Sequence, residues 1–399
     1  MDVTGTTMKR IAVVYDFLSE LGGLERVMAV LSRVMNRALV DLVFLSVDKD
    51  MQKKFEQAYL RPSTPALREA GPRFGSSQVK IILSFFRGLF GAGPFASLPA
   101  DLFFSNSFIC SYLCYKRKRL KGTPYVVYIQ HPPNFLYGRT FAWVNNISRF
   151  IAYTAGFFFS PLLRALDKIA VKHADLVFVN SKYTSRRIQE IYGIRPLILY
   201  PPVSNLFKPL PQQRAKALLQ HYDIKNKFVL LHGRIIRDKR PDLALRAFAL
   251  TTGVDLVISG TIEEQGTLRR LVSELGINDR VTFLGRVSDQ ELVALYTLAE
   301  CFIMSAPKED FGLTPVEAMA CGTPVVAWND GAGPSETVLS GVTGLLARPY
   351  DAHSMASAIT AILKRDMKRK NKQKILKHAA HFSEAAFGKQ LAFFLRRFS

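Results

Sequence analysis

The 399-residue chain carries 54 Lys and Arg against 32 Asp and Glu, and 48% of its residues are hydrophobic. That length exceeds what one core usually covers and predicts two domains of about 200 residues each; the apolar share argues against long disordered tracts. Four cysteines, Cys110, Cys114, Cys301 and Cys321, are too few for a disulfide scaffold and fit a reducing compartment.

The positive charge is uneven. Residues 1–200 hold 27 Lys and Arg against 13 Asp and Glu, and the remainder 27 against 19. Such a field suits nucleic acid, an anionic membrane surface or a phosphorylated substrate, and charge alone does not choose among them.

In chain order, the apolar run at 11–15 follows Lys9 and Arg10 and ends at Asp16. It is too short for a secretory signal and predicts a first strand. The runs LVDLVFLSV, DLFFSN, PYVVYIQ and ADLVFVNS follow, with helical patterns at 25–35 and 162–173. Alternation of this kind predicts a parallel sheet wrapped by helices. Cys110 and Cys114, four apart with no histidine nearby, read as buried thiols rather than metal ligands. The Phe- and Leu-rich region 79–104 is broken by Arg87, three glycines and two prolines. The apolar stretch 150–163 is shorter than the roughly 18–20 residues a bilayer needs. Both suit either core packing or one-sided membrane contact.

The proline-rich segment LYPPVSNLFKPLP predicts a linker. A second alternating series then runs through FVLLHGR, VDLVISG, RVTFLG, AECFIMS and TPVVAWN, with helical intervals at 241–250, 264–275 and 289–298. The predicted organisation is an N-terminal Rossmann-like domain over 1–200, a second over 201–383, and a C-terminal helix over 384–399 packing back towards the first. Phe387, Leu391, Phe394 and Leu395 mark the apolar side of that helix. The basic run 364–377 reads as a solvated helix face, or as a contact for membrane or acceptor phosphate.

Chemistry concentrates in KEDFGLTPVEAMACGTPVVA. Phe311, Gly312 and Leu313 lie between a strand-like run and a helix starting near Thr314, so unsatisfied backbone N–H groups gather where phosphate can bind. Glu309 precedes this turn and Glu317 stands one turn into the helix. Both carboxylates can face a ligand lying across the helix start, and beside a diphosphate they suit neutral hydroxyls. A capped helix with two solvated glutamates fits the same spacing. In HGRIIRDKRPDLALRAF, Arg234 and Lys239 stand between strand and helix. Cations there stabilise a leaving diphosphate more in the transition state than in the ground state; alone, the two also read as surface charges. Gly22 and Gly23 let backbone approach a ligand between the first strand and helix, without a G-x-G-x-x-G fingerprint. His131 ends PYVVYIQ at the carboxyl edge of the predicted sheet, where ligands bind in open α/β folds.

The E-x7-E spacing of Glu309 and Glu317, with Phe311-Gly312 between them and EAMAxGxPVVA following, resembles the signature of family 4 retaining glycosyltransferases. The resemblance implies an α/β, GT-B fold of two Rossmann-like domains facing each other across a cleft. It implies Glu309 on the donor sugar hydroxyls, Glu317 on the ribose and the amides of Phe311, Gly312 and Leu313 on the diphosphate. The family's GR-x4-K pattern assigns Gly233, Arg234 and Lys239 to the diphosphate as well. FLGRVSDQEL implies that backbone at Gly285, Arg286 and Val287 reads the base. NDGAGPSETVLSGVTGLL resembles the family's GG-x-x-E loop, with Ala332 in place of its first glycine. The Gly22-Gly23 loop would close over the donor phosphate, and His131 would contact the sugar near its reacting carbon. EDFG resembles a branch rich in mannosyltransferases and favours GDP-mannose, with a UDP-sugar as the alternative; Asn134 stands where that branch has Arg.

The implied reaction is front-face attack by an acceptor hydroxyl, with the leaving phosphate as base. It needs no cofactor and no metal, because Arg234 and Lys239 supply the positive charge. The expected partners are a nucleotide-sugar donor, a glycan or polyprenyl-linked acceptor and a possible anionic membrane surface, with no nucleic acid. The expected location is cytoplasmic, peripheral at the cytoplasmic face of a membrane. A sugar-nucleotide epimerase would need catalytic carboxylates and histidines that the sequence does not place. A nucleic-acid-binding protein explains the charge and leaves the glutamate, glycine and proline pattern unexplained.

Overall fold

The computed structural model describes residues 10–18, 23–35, 39–59, 67–71, 77–138 and 147–398. It divides into two compact units, Met1–Tyr200 with Gly388–Ser399, and Pro201–Phe387.

The first unit is built on a seven-stranded sheet. Its strands are β1 (Arg10–Leu18), β2 (Leu39–Val47), β3 (Leu67–Glu69), β4 (Leu102–Ser105), β5 (Tyr125–Ile129), β6 (Leu176–Val179) and β7 (Leu197–Ile198), in the order β3-β2-β1-β4-β5-β6-β7. All pairings are parallel. β4 and β5 are buried along their whole length, which is why they read as continuous apolar runs rather than as alternation.

The second unit repeats the plan with six strands: β8 (Phe228–Ile235), β9 (Asp255–Ile262), β10 (Val281–Gly285), β11 (Cys301–Ile303), β12 (Val325–Trp328) and β13 (Gly344–Ala347), ordered β10-β9-β8-β11-β12-β13. Again every pairing is parallel. Both units are doubly wound and Rossmann-like. In each, strand order reverses beside the first strand, between β1 and β4 and between β8 and β11. Ligands of such sheets bind at the carboxyl ends of the strands flanking that reversal.

β3, β7 and β13 are absent from the predicted series; all three stand at sheet edges and are only partly buried, so burial imposes no continuous apolar run on them. The stretch 150–163 lies within the helix Ile147–Lys172. Among the described residues no helix is long and apolar enough to cross a membrane. All four cysteines are buried, and burial pushes the Cys110 and Cys114 thiols well above their usual range, so both stay protonated.

The basic run is not uniformly solvated. It forms the end of one helix and most of the next, Met367–Ala379. Within it, Lys368 donates to the Leu298 carbonyl at 2.8 Å, and burial lowers its ammonium to about 8. Phe387, Leu391 and Leu395 of the helix Glu384–Leu395 are buried. Gln390 donates to the Ile198 carbonyl at 3.0 Å, and Phe394 meets Phe178 with ring centroids 5.2 Å apart.

Candidate functional site

Two loops at the carboxyl edge of the second sheet are locked together. The first follows β11 and ends at Gly312, whose φ of +81° makes the left-handed entry to the helix Leu313–Ala320. A side chain there would be strained. Phe311 turns its ring into the interior, 5.9 Å from that of Phe382, so the loop presents backbone rather than an aromatic face. The second loop follows β12. Gly333 N donates to the Glu309 carbonyl at 2.8 Å, and a Cβ added to Gly333 would lie 2.3 Å from Phe311 Cα. Asp330 fastens the pair: its carboxylate accepts from Lys308 N at 2.8 Å, Ala332 N at 3.1 Å and the Tyr350 hydroxyl at 3.2 Å.

The predicted cations approach the same place from β8. Gly233 and Arg234 lie in that strand, and the short turn Arg237–Lys239 brings Lys239 Nζ into a hydrogen-bonded ion pair with Glu309 Oε2. The Lys239 carbonyl accepts from Ser305 Oγ at 2.9 Å, which ties the turn to the end of β11 across the reversal point. Arg234 is exposed and stands opposite Thr261 in the β8–β9 register. Arg286, just beyond β10, donates to Thr261 Oγ1 at 3.1 Å. Arg234, Thr261 and Arg286 therefore mark the carboxyl ends of three adjacent strands. Val287 follows, and Ser288 then caps the helix Asp289–Leu298 in a capping box with Glu291.

The two glutamates differ in a way their spacing does not reveal. Glu309 is partly exposed and holds Lys239. Glu317 is buried, with the Tyr296 hydroxyl donating to it at 3.2 Å. The alternative of two solvated glutamates thus does not hold for Glu317. Its neighbours Val316, Ala318 and Met319 are buried too, so this short helix has almost no solvent face.

Gly22 lies outside the described residues. Gly23 opens the helix Gly23–Val34. His131 follows β5, is exposed, and lines a small cavity with Asn106, Ser107, Asp167 and Tyr192 among others. Beside it, Asp16, within β1, accepts from Ser107 Oγ at 2.8 Å and Cys110 N at 2.9 Å. That carboxylate satisfies an amide at the start of the helix Phe108–Lys121. Asp167 accepts from the hydroxyls of Tyr137 at 2.8 Å and Tyr192 at 2.6 Å, and burial raises its carboxyl to about 6. Sequence reading singled out none of Asp16, Asn106, Asp167 or Asp330. For Asp16 and Asn106 the available signal was a polar residue directly following an apolar run.

In the second unit, then, backbone amides at a helix start, the Lys239 ammonium and a partly exposed carboxylate meet at a sheet reversal, with Arg234 near the carboxyl end of the adjoining strand. This composition can bind an anion beside hydroxyl groups. Residues 21–204 match the family model described as Glycosyltransferase Family 4, and residues 218–381 the one described as Glycosyl transferases group 1. The chain belongs to the family 4 glycosyltransferases, with the GT-B fold of two Rossmann-like domains.

Among curated relatives, D-inositol 3-phosphate glycosyltransferase of Mycolicibacterium smegmatis is 36% identical over 244 residues, covering 59% of this chain and 56% of that protein. The Mycobacterium bovis protein of the same name is 35% identical over 213 residues, covering 51% and 44%. The chain thus spans about half the length of the curated relatives it matches. Similar folds include Anabaena HepE in complex with UDP (TM-score 0.74, 22% identity, 97% of this chain and 99% of that one). Sucrose-phosphate synthase from Thermosynechococcus elongatus is another (TM-score 0.76, 21% identity, 98% of each).

Proposed function

We propose that the protein moves a hexose, mannose from GDP-mannose in the favoured case, to a glycan or polyprenyl-linked acceptor with retention of configuration. The Lys239–Glu309 pair at the amide-rich start of Leu313–Ala320 carries this reading. It holds a phosphate-seeking cation and a hydroxyl-seeking carboxylate one hydrogen bond apart.

On donor binding the diphosphate takes Lys239, Arg234 and the N–H groups of the 311–313 turn, and Glu309 turns to the sugar hydroxyls. Glu317 meets the ribose, oriented by Tyr296, while Gly285, Arg286 and Val287 meet the base. As the sugar–phosphate bond breaks, charge grows on the diphosphate, where cations and helix amides stabilise it. The acceptor oxygen bonds to the anomeric carbon on the face the phosphate leaves, and a departing phosphate oxygen takes its proton. His131 and the glycine loop at Gly22 and Gly23 act on the sugar and donor phosphate. Arg234 and Lys239 supply the charge a metal would otherwise bring, so the reaction uses neither metal nor cofactor.

A UDP-sugar is the second reading, favoured by similar folds solved with UDP and with UDP-glucose. The curated relatives' names point to a phosphorylated polyol as a further acceptor class. A thermal-shift panel of GDP, UDP and ADP with their sugar conjugates separates these, since a ligand at about 100 times its dissociation constant adds about 2.7 kcal/mol to native stability. A preference for GDP and GDP-mannose is expected. Preference for UDP or ADP discards mannose, and no shift in a folded protein discards the donor site. Arg234→Ala and Lys239→Ala should each weaken the preferred diphosphate about 10-fold or more; unchanged affinity removes that residue from the site.

For the membrane, the adjoining helices Ser77–Phe90 and Phe108–Lys121 expose Phe86, Phe90 and Leu120, with Phe90 92% accessible. Arg87, Arg119 and Lys121 are exposed on the same helices. Apolar side chains among cations suit peripheral attachment to an anionic cytoplasmic leaflet. The protein should float with anionic vesicles at low salt, and Phe86→Glu with Phe90→Glu should release it. A wild-type protein that stays soluble at both low and high salt speaks against attachment.

A further inference from the structure

The helix Met367–Ala379 is fastened to the second unit at three backbone carbonyls. Lys368 donates to Leu298 at 2.8 Å, Asn371 to Val342 at 2.9 Å and His378 to Thr337 at 2.8 Å. These positions share one side of a helix, beside the buried Met367, Ile375 and Ala379. The helix is therefore held along its length, and its last turn has a fixed place from which to act.

The third of these bonds reaches the second of the two locked loops. The last carbonyls of a helix lack partners within it, and Thr337, which ends the five-residue helix Gly333–Thr337, finds its partner in His378. A carbonyl only accepts, so His378 Nε2 carries the proton and donates. At its other end the same short helix holds the first loop, through Gly333 N and the Glu309 carbonyl. His378 thus reaches Glu309 by way of one rigid turn.

Four residues on, Phe382 reaches the first loop directly. Its buried ring stands edge-on to Phe311 at 5.9 Å and to His378 at 5.5 Å, the favourable arrangement for aromatic pairs. The Phe382 carbonyl accepts from Val203 N at 2.8 Å, and Ser383 pairs with Val203 in a parallel bridge. With its own backbone pinned, the Phe382 ring gives the Phe311 ring a fixed seat. The amide and ring of Phe311 share one Cα, so that seat also places the amide turn.

We infer that His378 and Phe382 are positioning residues for the sugar donor: Phe382 sets the amide turn through Phe311, and His378 sets Glu309 through the helix Gly333–Thr337. The inference rests on the proposed donor site and assigns its accuracy to a segment remote from it in sequence. The two contacts lead to different parts of the donor. Phe382 governs the diphosphate, and His378 governs the sugar.

The test is calorimetry on the full chain with two ligands, the nucleoside diphosphate preferred in the thermal-shift panel and its sugar conjugate. Phe382→Leu stays apolar but loses the ring edge, and should weaken both ligands about 10-fold, since both carry the diphosphate. His378→Phe keeps a ring against Phe382 and loses the donor; it should weaken the sugar conjugate about 10-fold and leave the diphosphate within about 2-fold of wild type. His378→Gln restores an N–H donor without the ring and should recover the conjugate to within about 3-fold. If either disruptive variant fails to fold, Phe382→Met and His378→Asn, whose amide is too short to reach Thr337, take their places. A purely structural role would lower the melting temperature and leave both affinities of the folded protein alike. That result overturns the inference, as does equal loss of the conjugate in His378→Phe and His378→Gln, or loss of both ligands in His378→Phe; each leaves the donor site standing. A folded wild type that binds neither ligand removes the donor site, and the inference with it.

Discussion

Glu309→Ala should lower turnover by roughly 10- to 100-fold or more, as the loss of hydrogen bonds to a charged group costs about 1.5–3 kcal/mol. Affinity for the nucleoside diphosphate should be undiminished. The two results belong together because of the pairing with Lys239. Without a donor, the glutamate neutralises the lysine; a diphosphate must displace it, and the displaced carboxylate then addresses the sugar. Deleting Glu309 removes the competitor for Lys239 along with the sugar contact, so binding of the nucleotide alone is spared while transfer falls. Steady-state kinetics with calorimetry on the folded variant checks both. Near wild-type turnover removes Glu309 from the reaction, and a large loss of nucleotide affinity shows that it organises the phosphate site instead.

Gly333→Ala should cost about 100-fold in transfer and lower the melting temperature. The added methyl would stand 2.3 Å from Phe311 Cα and 2.5 Å from the Asp310 carbonyl oxygen. These are backbone atoms, which cannot rotate aside. The loops must part by about 1 Å, a displacement that can cost two orders of magnitude when it moves catalytic groups, and overpacking alone costs about 1–3 kcal/mol. Ala332→Gly, which restores the family's double glycine, touches none of these contacts and serves as the comparison. If Gly333→Ala transfers sugar as wild type does, the loops are not locked in the working enzyme.

Much of the architecture was legible because parallel strands buried on both faces leave unmistakable runs, as LVDLVFLSV and PYVVYIQ did. The glutamate and glycine motif of the candidate site was legible because its parts lie within a dozen residues, on a turn and a helix whose geometry is local. What escaped reading was non-local. Lys239 and Glu309 are 70 residues apart, and no periodicity announces that they pair. That Glu317 is buried while Glu309 is not was equally out of reach, since it depends on the packing of that helix onto Tyr296. Asp330, Asp16 and Asp167 owe their partners to crossings of the sheet that a single strand's pattern does not contain. That neither amide atom of buried Asn106 has a hydrogen-bond partner within the protein could not be foreseen either, since it depends on what every neighbour leaves unsatisfied.

The assignment of Gly388–Ser399 to the first unit sets an order of events during synthesis. Phe394 covers Phe178, Gln390 caps the Ile198 carbonyl, and Gly388 lies against Val34. A ribosome adding about 5–20 residues per second needs roughly 10–40 s to translate the intervening second unit. For that interval the half of the protein made first waits with apolar surface and an edge carbonyl uncovered, and it is completed last. A nonsense mutation beyond residue 387 would therefore damage the amino-terminal half, far from its own position in the gene.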